Sequence, residues 1–440
     1  MNLTEGSISK KLILFSLPMI VGNILQQVYN LADTMIVGKF IGADALAAVG
    51  SSYTLMVFLT SVIIGLCMGS GALFSEAYGA GNMERLREDI GLSFVFILGV
   101  TALMYLMLFP FKNAILLILR IPSDIFELTS GYVGVIFTGI IFVMLYNFFA
   151  YLLRSRGNSF IPLVFLAASS LVNIALDLIF VINLNLGVRG AALATVIAQA
   201  LAGIGIMVYS LATLPLLREG LFIHEVRLQR LGKIVRNDLA TAMQQSIMNF
   251  GILMIQGLVN SFGTIVMAAF AAAVKIDTIA YMPAQEFGNA YSMFVSQNHG
   301  ANKPERIKRG TRTAFLMSII FCAVASAVIF IFAGDLMLCF INPGEKEILA
   351  HGIRYLRIEG AAYIGIGMLF LWYGYYRGIG RPEISLVLTI ISLGTRVLLS
   401  YTLAPHTPLG VNAIWISIPI GWFLADAAGA MIRKNSKNLR

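Results

Sequence analysis

Twelve long apolar stretches constrain this chain more than any other feature. They lie at roughly 12–38, 50–74, 92–118, 131–153, 161–183, 190–217, 239–262, 276–298, 312–341, 355–376, 383–403 and 411–432. A membrane-spanning helix needs about 20 apolar residues, so each stretch is long enough to cross a bilayer. In hydrocarbon, backbone polar groups must be satisfied without water, which leaves helices or closed barrels. Barrel strands alternate in segments of about ten residues, and these runs are too long and too uniform for that. The sequence predicts an all-α integral membrane protein with 12 transmembrane helices. Composition agrees: 58% of residues are hydrophobic and 12% are charged.

A net charge of +9 invites a nucleic-acid reading. The distribution of the charge explains it better. With a cytoplasmic N-terminus and twelve spans, 22 of the 31 Lys and Arg residues fall on the cytoplasmic side. Eight fall outside and one, Arg396, lies inside a span. This is the positive-inside pattern, so the chain is expected in the cell (inner or plasma) membrane with both termini cytoplasmic and no nucleic-acid partner. The first apolar run is too long and too polar for a cleavable signal. Cys67, Cys322 and Cys339 are scattered, and His224, His299, His351 and His406 are isolated. Neither a disulfide framework nor a transition-metal site is indicated.

The chain is written twice. "GADALAAVG" at 42–50 resembles "GTIVMAAFA" at 263–271, and "GAGNMERL" at 79–86 resembles "HGANKPERI" at 299–307. "RSRGNSFI" at 154–161 resembles "RGIGRPEI" at 377–384, and "LNLGVRGAALA" at 184–194 resembles "HTPLGVNAIWI" at 406–416. The order is kept and the offsets stay within 220 to 223. Six spans per half enter the membrane the same way, so the halves form a parallel repeat. The expected organisation is an N-lobe at 1–217, a cytoplasmic linker at 218–238 and a C-lobe at 239–440. The linker's basic and apolar faces read as an amphipathic interfacial helix or as a solvated connection.

Polar residues inside the spans carry the functional signal. A mid-span Asp costs about 2.5–3.5 kcal/mol on insertion scales, so it persists where it faces a cavity or a partner. In the first span, Asn23, Gln27, Asn30, Asp33 and Thr34 form one stripe, with Gln26 and Tyr29 beside it. Pro18 lacks the N–H that would bond Leu14 and is expected to bend that helix. "LVNIALDLIF" at 171–180 puts Asn173 and Asp177 on one face of the fifth span, together with Ser170. Thr195 and Gln199 share a face of the sixth. If these helices meet, Asp33, Asn173, Asp177 and Thr195 offer hard oxygen ligands that suit Na⁺. The same carboxyl pair can instead hold a proton, since burial and a second carboxylate both favour the neutral form. In the second half, Met254 stands at the register of Asp33, Arg396 at that of Asn173 and Ser400 at that of Asp177. Glu286 and Arg396 there either pair or line a cavity for a charged substrate.

The run ending "YNLADTMIVGKFIG", with "YGAGN", "LRSRGNS", "NIALD", "GVRGAALAT" and "VSQNHGAN", resembles the multidrug and toxic compound extrusion (MATE) family over residues 10–430. The resemblance implies two pseudo-symmetric six-helix lobes around a central cavity. It implies export of cationic or amphipathic drugs in exchange for Na⁺ or H⁺, with no other cofactor. The family's first-lobe cation ligands match Asp33, Asn173, Asp177 and Thr195. A tyrosine near that pocket matches Tyr132, and the proline of the bending first helix matches Pro18. The second lobe departs from members with acids in helices 7 and 10, since only Glu359 remains there, near an end.

The expected function is therefore a secondary active multidrug efflux antiporter working by alternating access. Its substrate cavity would draw on Gln26, Tyr29, Asn30, Tyr132, Gln199, Glu286 and Arg396. Its partners would be small organic cations and membrane lipid, and it would work as a monomer. A lipid or lipid-linked sugar flippase on the same scaffold is the alternative, though one intramembrane arginine supplies little of the basic cavity a diphosphate needs. No GxSxG, HExxH or convergent His/Asp pattern supports an enzyme.

Overall fold

The computed structural model describes residues 1–119, 121–215, 217 and 227–438. Among them are thirteen α-helices and one π-helical segment. In the first half these are α1 (Ile8–Phe40), α2 (Ala43–Gly79), α3 (Met83–Ile118), α4 (Ser123–Ser155), α5 (Phe160–Asp177), its π-helical continuation (Leu178–Asn183) and α6 (Gly187–Thr213). The second half contains α7 (Leu228–Asn260), α8 (Thr264–Gly300), α9 (Pro304–Leu338), α10 (Lys346–Gly360), α11 (Tyr363–Gly378), α12 (Pro382–Leu403) and α13 (Val411–Asn438). Ten of these helical stretches are long and apolar enough to cross a membrane. Large apolar side chains such as Leu106, Ile118, Val324 and Ile331 stand exposed along them, as lipid-facing residues do.

Two spans differ from the sequence expectation. The stretch 355–376 is not one helix: it breaks between α10 and α11 at Ala361–Ala362. The stretch 239–262 is the later part of α7, a helix of 33 residues that starts at Leu228. The linker expected at 218–238 therefore divides. Its residues 218–226 lie outside the described residues, and 228–238 open a helix that continues unbroken.

The turns record the duplication in backbone geometry. Positive φ occurs at Gly42 and Gly263, Gly81 and Asn302, Gly157 and Gly380, and Gly187 and Gly410. The paired positions are 221, 221, 223 and 223 residues apart. A left-handed backbone strongly favours glycine, and asparagine is the usual substitute. These four pairs preserve the same chain reversals in both halves.

The contacts divide the chain into two compact units. The first comprises Met1–Asn2 and Leu17–Ala242, and the second comprises Leu3–Ser16 and Met243–Arg440. In the first unit α4 is the central helix, burying Val133, Phe137, Met144 and Phe148. The start of α7 is tied to the ends of α2 and α3: Arg230 pairs with the buried Asp89, and Lys233 reaches Glu76 at 3.3 Å. Ser70 donates to Asp238 at 2.6 Å. Gly65 and Gly69 let the backbones close on each other there, and a Cβ on Gly69 would lie 2.8 Å from Asp238 Cα. This is the small-xxx-small contact of membrane helices. In the second unit the motif at 297–306 grips the chain start. Gln297 accepts from the Leu3 N–H at 3.0 Å, and Asn298 donates to the Leu3 carbonyl at 3.2 Å. Around α8 the core is aromatic: Trp415 stacks on Phe270 at 5.3 Å and meets Tyr355 edge-on at 4.9 Å.

Gly69→Val forces these backbones apart, and overpacking of this kind costs about 1–3 kcal/mol. The expected result is a lower unfolding midpoint in detergent, read by thermal-shift size exclusion. Gly99→Ala, whose Cβ meets nothing within 4 Å, leaves the midpoint unchanged.

Candidate functional site

The polar residues of α1, α5 and α6 all belong to the first unit, and the structure brings the key ones together. The α-helical ladder of α5 ends at Asp177. From Leu178 the chain widens into π geometry, and the Leu184 N–H closes on the Ile179 carbonyl at 2.9 Å, five residues back. Such wide turns are frequent at functional sites. This one lies directly beyond the carboxylate.

Asp177 is fully buried, Asn173 is buried, and Asp33 is partly covered. The carboxyls of Asp33 and Asp177 face each other within hydrogen-bonding reach. Two ionised carboxylates have no hydrogen to share, so a bond between them requires one proton. Two nearby donors are already used. Asn173 Nδ2 points to Thr195 Oγ1 at 3.5 Å, and the Thr195 hydroxyl donates to the Ala191 carbonyl at 3.1 Å. The acceptors remain. Asp33 Oδ1, Asn173 Oδ1, both oxygens of Asp177 and Gln199 Oε1 are buried and receive no hydrogen bond from any described N–H or O–H. Buried acceptors without donors call for a cation or a proton. Tyr132 is buried beside both acids. Thr34 is not part of the cluster, because its hydroxyl bonds the Asn30 carbonyl at 2.8 Å on an exposed face.

A cavity of about 160 Å³ adjoins the acids. Gln26, Tyr29, Asn173, Thr195 and Gln199 line it, so Asn173 and Thr195 belong to both cavity and cluster. Asn30 and Tyr132, also expected there, are not on its wall. At roughly 30 Å³ per water it holds about five waters. A drug-sized ligand needs roughly 300 Å³ or more, so in this conformation the cavity suits a hydrated ion or a small amine. Tyr146 and Asn147 of α4 also face it and were missed by the sequence reading. Asn147 lies mid-span between apolar residues, the same signal that drew attention to Asn173. Pro18 lies inside an α1 that runs unbroken from Ile8 to Phe40, at the point where α1 enters the first unit.

In the second unit, Arg396 acts on Asp277 and Glu359. Glu286 accepts from Asn289 at 3.4 Å, nine residues and about half a helical rotation beyond Asp277. Neither Glu286 nor Arg396 lines the first-unit cavity. Asp277 was overlooked because the span was expected to start at 276, where an acid reads as a boundary residue. The helix starts at Thr264 instead, which puts Asp277 well inside it.

A multi-span helical bundle with paired acids and acceptor oxygens beside an internal cavity defines a membrane transporter. Comparison with known proteins makes the class specific. The MatE family profile matches residues 18–179 and again 240–402. The chain belongs to the MatE family. It is 28% identical to the Probable multidrug resistance protein YoeA of Bacillus subtilis, covering 94% of this chain and 91% of that protein. It is 22% identical to an FAD transporter of Shewanella oneidensis, covering 95% and 93%. The fold matches an outward-facing multidrug resistance MATE family transporter at a TM-score of 0.91 and 24% identity, covering 100% of this chain and 98% of that one. These relatives are transporters and not enzymes.

Asp33→Asn and Asp177→Asn each remove one ionisable oxygen pair at constant shape. Each is expected to weaken sodium-22 binding, or proton uptake if the proton is the ligand, at least tenfold in purified protein. Thr34→Ala leaves both unchanged. Equal binding in all three variants would place the ion elsewhere.

Proposed function

We propose that the protein is a secondary active efflux antiporter that exports cationic or amphipathic small molecules in exchange for Na⁺ or H⁺. The observation that supports this reading best is the facing pair Asp33–Asp177 with unsatisfied oxygens around it. The names of its relatives, several of them multidrug resistance or export proteins, support the substrate class. The shared fold supports a twelve-span arrangement in two six-helix lobes, working by alternating access. The skewed Lys and Arg distribution supports a cell-membrane location with both termini cytoplasmic.

In this reading the ion enters the cluster from outside and cancels one net charge. Insertion scales put such a charge at about 2.5–3.5 kcal/mol, a population shift of roughly 10²-fold. A shift from 1:99 to 99:1 needs about 5.5 kcal/mol, so one ion supplies about half and changes in substrate contacts supply the rest. The ion drives transport only through its different affinity for the two states. Charge cancellation releases α1 to bend at Pro18, which reshapes the wall at Gln26 and Tyr29 and expels the substrate. Asn173 and Thr195 pass the signal to the same wall.

The test is efflux of a cationic dye such as ethidium from proteoliposomes under an imposed sodium or proton gradient. Asp177→Asn is expected to lose gradient-driven efflux at least tenfold. Pro18→Ala is expected to slow efflux while still binding the ion. Gradient-driven efflux that persists at the wild-type rate in Asp177→Asn would overturn the reading.

A further inference from the structure

Two basic side chains of the first unit meet on one face of α4. Lys112 lies six residues before the end of α3, and Arg189 is the third residue of α6. With cytoplasmic termini, both lie toward the outer face of the membrane. The surface they share is made by Gly131 and Gly134, three apart and therefore neighbours along α4. A Cβ on Gly134 would lie 2.9 Å from Lys112 Nζ, and one on Gly131 would lie 3.0 Å from Arg189 Nε. The two glycines leave room for both cations to rest against the helix backbone. Cβ positions three apart on a helix are about 5–6 Å from each other, so the ammonium and the guanidinium nitrogen lie within about 12 Å.

The charge of this pair is not compensated. Lys112 Nζ donates to the Ser130 carbonyl at 3.3 Å, which is a neutral partner. Arg189 is exposed and makes no hydrogen bond or ion pair with any described residue. Glu127 stands one turn before Gly131 on the same side of α4, yet it pairs with neither cation. Two like charges held this close repel, and an anion shared between them relieves the repulsion. The chemistry suits a phosphate: the guanidinium fork matches its oxygens, and the ammonium adds a point charge.

The surroundings suit a lipid. Lys112 Nζ lies 6.0 Å from the ring centre of Phe109. Phe109, Phe111, Leu117 and Ile118 are exposed along the same end of α3. Aromatic residues collect at headgroup level, where one side is apolar and the other is wet. A phosphodiester carrying acyl chains uses both the cations and this apolar surface. A free phosphate uses only the cations. Basic pockets between transmembrane helices hold anionic headgroups in this way.

We propose that Lys112 and Arg189 hold the phosphate of an anionic phospholipid against the Gly131–Gly134 face of α4. The site takes the opposite sign of charge from the Asp33–Asp177 cluster. It stands whether or not that cluster binds a cation.

The test is native mass spectrometry of the purified full-length protein titrated with phosphatidylglycerol. Phosphatidylcholine and inorganic phosphate serve as separate competitors. A basic residue at an anionic lipid surface contributes about fivefold in affinity, so the pair contributes about thirtyfold. Wild type is expected to hold one phosphatidylglycerol that the double variant Lys112→Gln, Arg189→Gln binds about thirtyfold more weakly. Lys39→Gln removes another exposed cation and is expected to leave that lipid in place. Neither competitor is expected to displace it at equal concentration. Equal affinity in wild type and the double variant overturns the proposal. Displacement by inorganic phosphate assigns the site to a soluble anion and overturns the lipid reading, and displacement by phosphatidylcholine overturns the preference for an anionic headgroup. Should the double variant fail to fold, Arg189→Gln alone decides, because its side chain is exposed and unbonded. The expected loss there is about fivefold, and no loss overturns the proposal.

Discussion

Two carboxyl groups facing each other in a low-dielectric interior, with no protein donor between them, are the constraint on which the rest of this protein depends. Asp33 and Asp177 cannot both be charged and unpartnered there without a cost that no packing nearby offsets. The surrounding structure withholds relief. The Asn173 amide is committed to Thr195, and the Thr195 hydroxyl to a backbone carbonyl. What remains is a ring of oxygen acceptors beside a cavity the size of a few waters. A cluster of this kind is stable only when something positive visits it, which makes its charge responsive to conditions outside.

The duplication shows how far side chains diverge on a set of turns that both halves keep. The turn backbone is conserved between halves because positive φ tolerates few residues. The side chains at corresponding depths are free to diverge, since a helix carries any residue whose charge is compensated. The first half kept an acid one turn after an amide. The second half placed arginine at the amide position and recruited Asp277 and Glu359 from other helices. Both halves bury acids, and in both some carboxyl oxygens receive no hydrogen bond among the described residues.

Much of this was legible in the sequence. The apolar stretches marked the helices, and the four matched segments marked the repeat. Asn173 and Asp177, four apart in an apolar run, pointed to a polar face that the structure turns inward. Three features were not legible. The break at Ala361–Ala362 lies within a continuous apolar run, where hydropathy carries no information about backbone direction. The π segment after Asp177 changes hydrogen bonding without changing composition. Asp277 was hidden by helix length: α8 starts at Thr264, about three turns before the apolar stretch expected from 276, and an acid at the apparent edge of a span lies inside the real helix. Arg396 was seen, but its electrostatic neighbours Asp277 and Glu359 come from two other helices, and single-sequence periodicity does not reveal such neighbours.

The most direct test of the central claim is infrared difference spectroscopy on the purified protein, following the protonated-carboxyl band as pH is raised and as sodium is added. The account predicts a carboxyl band in wild type that disappears under one or both treatments and is missing from the Asp33→Asn, Asp177→Asn double variant. A titrating band of unchanged amplitude in that double variant, or no titrating band in wild type, would contradict it.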